Sequence, residues 1–311
     1  VRWLARAAVA LALLGSLGSF AATPSLADHS PQSHPRAVAE SLTQALLGLH
    51  AQHRAAGAAL QAQSEADLVT AAAAREQYLA ALIHTDPAEV LRVAIPAGVR
   101  ALLPPAVQAY VEEDVEVEGT LEVLHEDRDQ GSRYLHYLDT GGKRFSLHFA
   151  ADAPKLETGS YVRVRGLRLQ HAMALSSGSA DVQALAAPPP NTFGTQQTAV
   201  ILVNFSNNPV QPYTVATAQS VVLGTTSNFY LENSYQQTSL AGSVHGWFTI
   251  ALSSTVCDAF TLASQANAAA TAAGVNLANY SRRVYAFPQN ACGWWGLGTV
   301  GGNPSQAWIN G

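Results

Sequence analysis

Cysteine and charge are both scarce in this chain. Only two of its 311 residues are cysteine, Cys257 and Cys292, and both fall in the last third. Charged residues make up 13% of the sequence, with a formal net charge of −5. No region carries the basic excess that phosphate binding needs, which excludes nucleic acid as a partner. Polarity comes instead from Gly, Ser, Thr, Asn and Gln, a balance that suits an exported protein. No apolar run reaches the about 20 residues of a membrane span. The sequence also lacks a G-x-S-x-G elbow, so Ser243 and His245 do not make a serine hydrolase of that type. None of the ten histidines stands in an H-E-x-x-H array.

A leader opens the sequence. Arg2 and Arg6 form a short positive segment, and Ala7 to Leu17 is apolar. Ser25-Leu26-Ala27 supplies the small residues that signal peptidase prefers, with Ala21 or Ala22 as other cleavage points. Residues 1–27 are therefore expected to be a cleaved export signal, giving a secreted, extracellular product without stable membrane insertion. In an oxidising compartment Cys257 and Cys292 are expected to bond. The rival reading, a catalytic thiol, needs a depressed pKa and a base, and His245 is the nearest candidate in sequence.

Residues 28–110 read as helical. Leu42, Leu46 and Leu49 mark one apolar stripe, and Leu68, Ala72, Leu79 and Leu82 another. Arg75 interrupts the second, with its stem expected along the apolar face and its charge in water. Asp86-Pro87-Ala88-Glu89 is a helix start, with Asp as N-cap and Glu89 reaching back to it. His50 and His53 stand three apart without a third ligand at helical spacing, as on a solvated helix face.

Over residues 111–175 the period changes to two. Val115, Val117, Leu121 and Val123 alternate with Glu116, Glu118 and Glu122; Phe145, Leu147 and Phe149 alternate with Ser146 and His148; Val162 and Val164 alternate with Arg163 and Arg165. Asp139-Thr140-Gly141-Gly142 signals a turn. These short strands predict a small antiparallel barrel of OB type. Its first strand presents an acidic face that would repel phosphate, so a structural or pro-region role is favoured over oligonucleotide binding. His125-Glu126 begins like a zinc motif, but it lies in a strand-to-turn context and its second histidine is missing. Residues 176–197, with Ser176-Ser177-Gly178-Ser179 and three prolines at 188–190, read as a linker.

The last domain, 198–311, alternates strands with helices, the pattern of an α/β layer. Thr198 to Phe205 is a continuous apolar strand, Thr214 caps a helix running through Val222, and Phe229, Glu232 and Tyr235 step by three. A second strand runs from Val244 to Leu252. An alanine-rich helix runs from Asp258 to Ala273 and ends at Gly274, and Arg283 to Phe287 is a third strand stopped by Pro288.

Three segments of this domain together resemble the amino-terminal half of gametolysin-like zinc metallopeptidases, a branch of the metzincin group. They are Ala199–Phe205, the Asn228–Tyr235 helix with Val244–Ile250, and Tyr285–Thr299 with its Gly/Trp turn. The resemblance implies an α+β multidomain precursor: leader, helical pro-region, small β module, proline-rich linker, and the amino-terminal part of an α/β metzincin-like catalytic domain. It implies a secreted zinc-dependent endopeptidase acting on protein or peptide substrates. The zinc ligands and general base, H-E-x-x-H-x-x-G-x-x-H, are expected after Trp308-Ile309-Asn310-Gly311. Within these 311 residues, then, no catalytic residue and no zinc ligand is expected, and the chain alone is expected to be inactive. Gly296, Leu297, Gly298 and Thr299 are the candidate substrate-binding strand, where glycine permits close backbone approach. An ordinary glycine turn packing Trp294 and Trp295 is the plain alternative. With no cysteine between Asp28 and Val256, a pro-segment thiolate cannot cap the zinc, so latency would be steric or use another ligand. A secreted non-catalytic module binding a peptide or glycan is the competing function.

Overall fold

The computed structural model describes residues 35–57, 60–189 and 191–311; the expected leader at 1–27 lies outside them. The described chain is mixed α/β, one large sheet with several helices packed on it.

The helical part follows its apolar stripes. Helices α1 (Pro35–Ala55) and α2 (Gln61–Leu82) pack together, burying Leu46 from one and Leu68, Ala72, Leu79 and Leu82 from the other. Short helices α3 (Pro87–Arg92), α4 (Ala97–Arg100) and α5 (Pro105–Gln108) follow. Asp86 caps α3, accepting a hydrogen bond from the Glu89 amide at 3.0 Å. Glu89 does not reach back to the cap. Its buried carboxylate instead accepts from Arg92 Nε and Nη2, each at 2.7 Å.

Arg75 departs further from expectation. Its guanidinium is not in water but fully buried, with Nη1 2.5 Å from Glu112 Oε2. It also donates to Thr43 Oγ1 and the Val93 carbonyl, while Glu112 accepts from the Ile95 amide. All three guanidinium nitrogens and both carboxylate oxygens of the pair thereby have partners, which is the condition for tolerating a buried charge. His50 is likewise buried, not solvated, and neither ring nitrogen has a partner among the described residues. Burial, followed by the nearby charges of Arg54 and His53, lowers its pKa.

The β module contains β1 (Glu113–Arg128), β2 (Gly131–Asp139), β3 (Arg144–Phe149), β4 (Tyr161–Leu169) and β5 (Ala172–Leu175). Pairings pass from β1 to β2, β3, β5 and β4, then return to the first half of β1; only β3–β5 is parallel. Leu121, Val123, Leu138, Phe145, Leu147, Val162 and Val164 share one core, as their alternation requires. The outward acids do not form a repelling face. Glu113, Glu116 and Glu118 sit opposite Arg168, Arg165 and Arg163 of β4 and pair with them. Such exposed pairs set register more than stability.

Within the stretch read as a linker, helix α6 (Gly178–Asp181) leads into β6 (Val182–Ala186), which pairs with β4. The Asp181 carboxylate holds that turn by accepting from the Ser176 amide and hydroxyl.

The remaining elements are β7 (Gly194–Phe205), α7 (Val215–Gln219), a wider π-helical stretch (Ser220–Thr226), α8 (Ser227–Asn233), β8 (Thr238–Ile250), α9 (Ala259–Ala272), β9 (Arg282–Phe287), β10 (Gly296–Thr299) and β11 (Ser305–Asn310). Thr214 caps α7 and Gly274, at φ +88°, stands just past the end of α9, both where the sequence places them, while Asp258, read as the first residue of α9, is its N-cap. β8 begins at Thr238, ahead of the expected Val244. Gly242 lets β8 lie close against β7, since a Cβ there would stand 1.9 Å from the Thr198 carbonyl oxygen.

Among the described residues the sheet has eleven strands, in the order β6-β4-β5-β3-β2-β1-β10-β11-β9-β7-β8. β7 is parallel to β8 and β9, β9 is parallel to β11, and β10 is antiparallel to β11. One face of β7, β9 and β11 packs on α9 through Ile201, Val203, Tyr285, Trp308 and Ala266. On the other face Val200, Leu202 and Ala286 meet Ala218 and Val222 of the α7–α8 segment.

Candidate functional site

The helices on the second face do not cover it all. Beside the α7–α8 segment an open groove of 860 Å³ runs along β9, β11 and β10. Val284, Ala286, Ala307 and Ile309 form its floor, with Val221 and Tyr230 on one wall and Gly298 and Thr299 on the far side. The difference between faces is plain within β11: Trp308, on the α9 side, is fully buried, whereas its neighbour Ile309 is 45% exposed. The Tyr213 hydroxyl also borders this groove. It is buried without a hydrogen-bond partner among the described residues, and burial pushes its pKa up to about 12.

The Gly/Trp turn is held in place from β11. Buried Asn310 donates to the carbonyls of Cys292 and Trp294 at 3.1 and 2.7 Å and accepts from the Asn290 amide at 2.9 Å. The Cys257–Cys292 disulfide ties the same turn to the loop before α9. Trp294 packs edge-on against Phe287 in the core, while Trp295 is 53% exposed. These anchors aim β10. Leu297 points into the α9 core, and Thr299 accepts from the Gln306 amide at 3.0 Å. Gly296 and Gly298 leave bare backbone, for a Cβ at either would meet nothing closer than 3.9 and 3.7 Å respectively.

The four candidate strand residues thus form β10 as one extended segment, but its outer edge is not open. Leu124–Asp127 of β1 pairs antiparallel with Gly296–Thr299. Sequence reasoning missed this pairing and missed the groove. The hint for the groove lay in Ala307 and Ile309, apolar residues on the opposite side of β11 from Trp308.

Histidines are scattered. His125 lies on β1 beside Tyr134, and Glu126 is buried between Arg128 and Arg133. Tyr280 links Ser243 and His245, its hydroxyl 3.5 Å from Ser243 Oγ and 3.4 Å from His245 Nε2, a contact with a residue distant in sequence. Burial lowers the His245 pKa. Among the described residues no group of three or more His, Cys, Asp or Glu side chains converges as a metal site. These residues do not fit the zinc that the resemblance implies.

No protein-family model matches the chain, and no curated protein is significantly similar to it.

Proposed function

We propose that residues 198–311 are the amino-terminal part of the catalytic domain of a secreted zinc-dependent metalloendopeptidase precursor. The observation that carries this reading is the groove over β9 and β11, an apolar strip beside a helix, with a tyrosine hydroxyl at its border that has no partner among the described residues. Its shape suits a second helix packed alongside α7–α8. In this reading that helix bears the zinc ligands and the glutamate that deprotonates zinc-bound water. The strand order supports it too: a mostly parallel layer with one antiparallel outer strand, β10, running along the rim of the groove. Residues 28–110 are then a helical pro-region. The circuit β1-β2-β3-β5-β4-β1, with its parallel β3–β5 pair, supports reading residues 111–175 as a small OB-like barrel belonging to the same precursor.

The test is the full-length secreted product of the gene. An in-frame H-E-x-x-H soon after Gly311, about one zinc per molecule by mass spectrometry, and cleavage of casein that stops on chelation are the expected results. A product without zinc that leaves casein intact refutes the reading. If such a product still binds casein, the non-catalytic binding protein takes its place.

A further inference from the structure

A strand edge can pair with only one partner. Each outward N–H and C=O of β10 is either given to the chain's own β1 or left for another extended segment. Here it is given to β1. That strand pairs with β4 up to Thr120 and then, from Leu124, with β10, while β2 holds its other edge from Thr120 to Arg128. Two otherwise open edges satisfy each other.

The joint is fastened at both ends. The Trp295 amide donates to the Asp127 carbonyl at 3.0 Å, and the Val300 amide to the Val123 carbonyl at 2.8 Å. Beyond the ladder, the Trp295 indole N–H donates to the Asp129 carboxylate. At the other end Thr158 grips Val123, its hydroxyl donating to the Val123 carbonyl and accepting from the Val123 amide, both at 2.9 Å. The glycines add a second fact: no side chain from Gly296 or Gly298 locks β1 in place or fills the adjoining groove.

The geometry points to Leu124–Asp127 as an internal blocking strand: it occupies the backbone edge that an extended peptide would take beside the groove. This rests on the endopeptidase reading, and it gives that reading a latency device made of backbone pairing, with no thiol and no metal ligand. Loosening β1 should open the edge.

Two variants loosen it without touching the groove. Asp129→Ala removes the carboxylate that holds the Trp295 indole. Because the carbonyls of Val123 and Asp127 both face β10, alternation turns the His125 amide the same way, so His125→Pro deletes one bond from that ladder only. In the full-length product, amide exchange at Gly298 and Val300, whose N–H groups face β1, should speed up about tenfold, the size expected for losing a hydrogen bond to a charged group, with exchange in β7 and β9 unchanged. Fluorescein-labelled casein, followed by anisotropy in EDTA, should bind about tenfold more tightly, and with zinc present it should be cut correspondingly faster. Faster exchange with unchanged casein binding overturns the proposal, since β1 would then be a permanent part of the sheet. Tighter binding with no cleavage in any variant preserves the blocked edge and refutes the endopeptidase reading alone. Should His125→Pro fail to fold, Asp129→Ala with Thr158→Val gives the same comparison without a proline in the strand.

Discussion

Arg75 and Glu112 lie 37 residues apart in sequence yet share one buried contact. Burial by itself pushes the Glu112 carboxyl up. The Arg75 hydrogen bonds and charge, together with the Ile95 amide, outweigh burial and hold it below the usual carboxylate range. A carboxyl lowered on folding contributes stability that is present above its unfolded pKa and lost as pH falls through the folded value. Glu112→Ala leaves a buried guanidinium unpaired and should cost about 3–5 kcal/mol in urea unfolding at pH 7. Arg75→Met with Glu112→Leu should cost much less, because no charge is left behind. The gap between Glu112→Ala and the parent protein should shrink below about pH 4, the unfolded carboxyl range. A gap independent of pH would assign the loss to packing and not to the ion pair.

At the scale of elements, the disulfide and Asn310 hold the Gly/Trp turn against the sheet from two sides. Cys257→Ser with Cys292→Ser reopens a 35-residue separation and should cost about 3–4 kcal/mol by the loop-closure argument. Thermal unfolding of the oxidised parent and the double variant measures it; a loss below about 1 kcal/mol would mean that the Asn310 bonds already fix the turn. Much of this level was legible in the sequence. The Asp86 and Thr214 caps, the Gly274 stop and the period-two runs of the β module act over a few residues, where local chemistry decides. Glu89 was misread because its better partner, Arg92, lies one turn further along the same helix. β8 reaches back past Val244 to Thr238 because Gly242 permits close contact with β7, a contact with a distant strand that no local pattern records.

For the whole molecule, the open groove makes a distinct prediction. Ile309 is partly exposed among the described residues, so Ile309→Glu should change the stability of the 311-residue chain by no more than about 0.5 kcal/mol. In a full-length product whose further helix packs on that floor, the same change buries an unpaired carboxylate. It should cost about 3 kcal/mol or more, with loss of bound zinc. Equal small effects in both forms, by urea unfolding, would argue against a helix seated there.

By itself the sequence determined the class of most segments, the stretch read as a linker excepted: helices with apolar stripes, alternating strands, a buried parallel-type strand, and two cysteines suited to one bond. Those properties follow from side-chain periodicity and capping, which neighbouring residues decide. Only the tertiary structure decided that Arg75 would be buried against Glu112, that the acids of β1 would meet the arginines of β4, and that β1 would take the edge of β10. The reason is that backbone edges and buried charges choose partners by proximity in space, and no local pattern in the chain records which distant segment will be brought alongside.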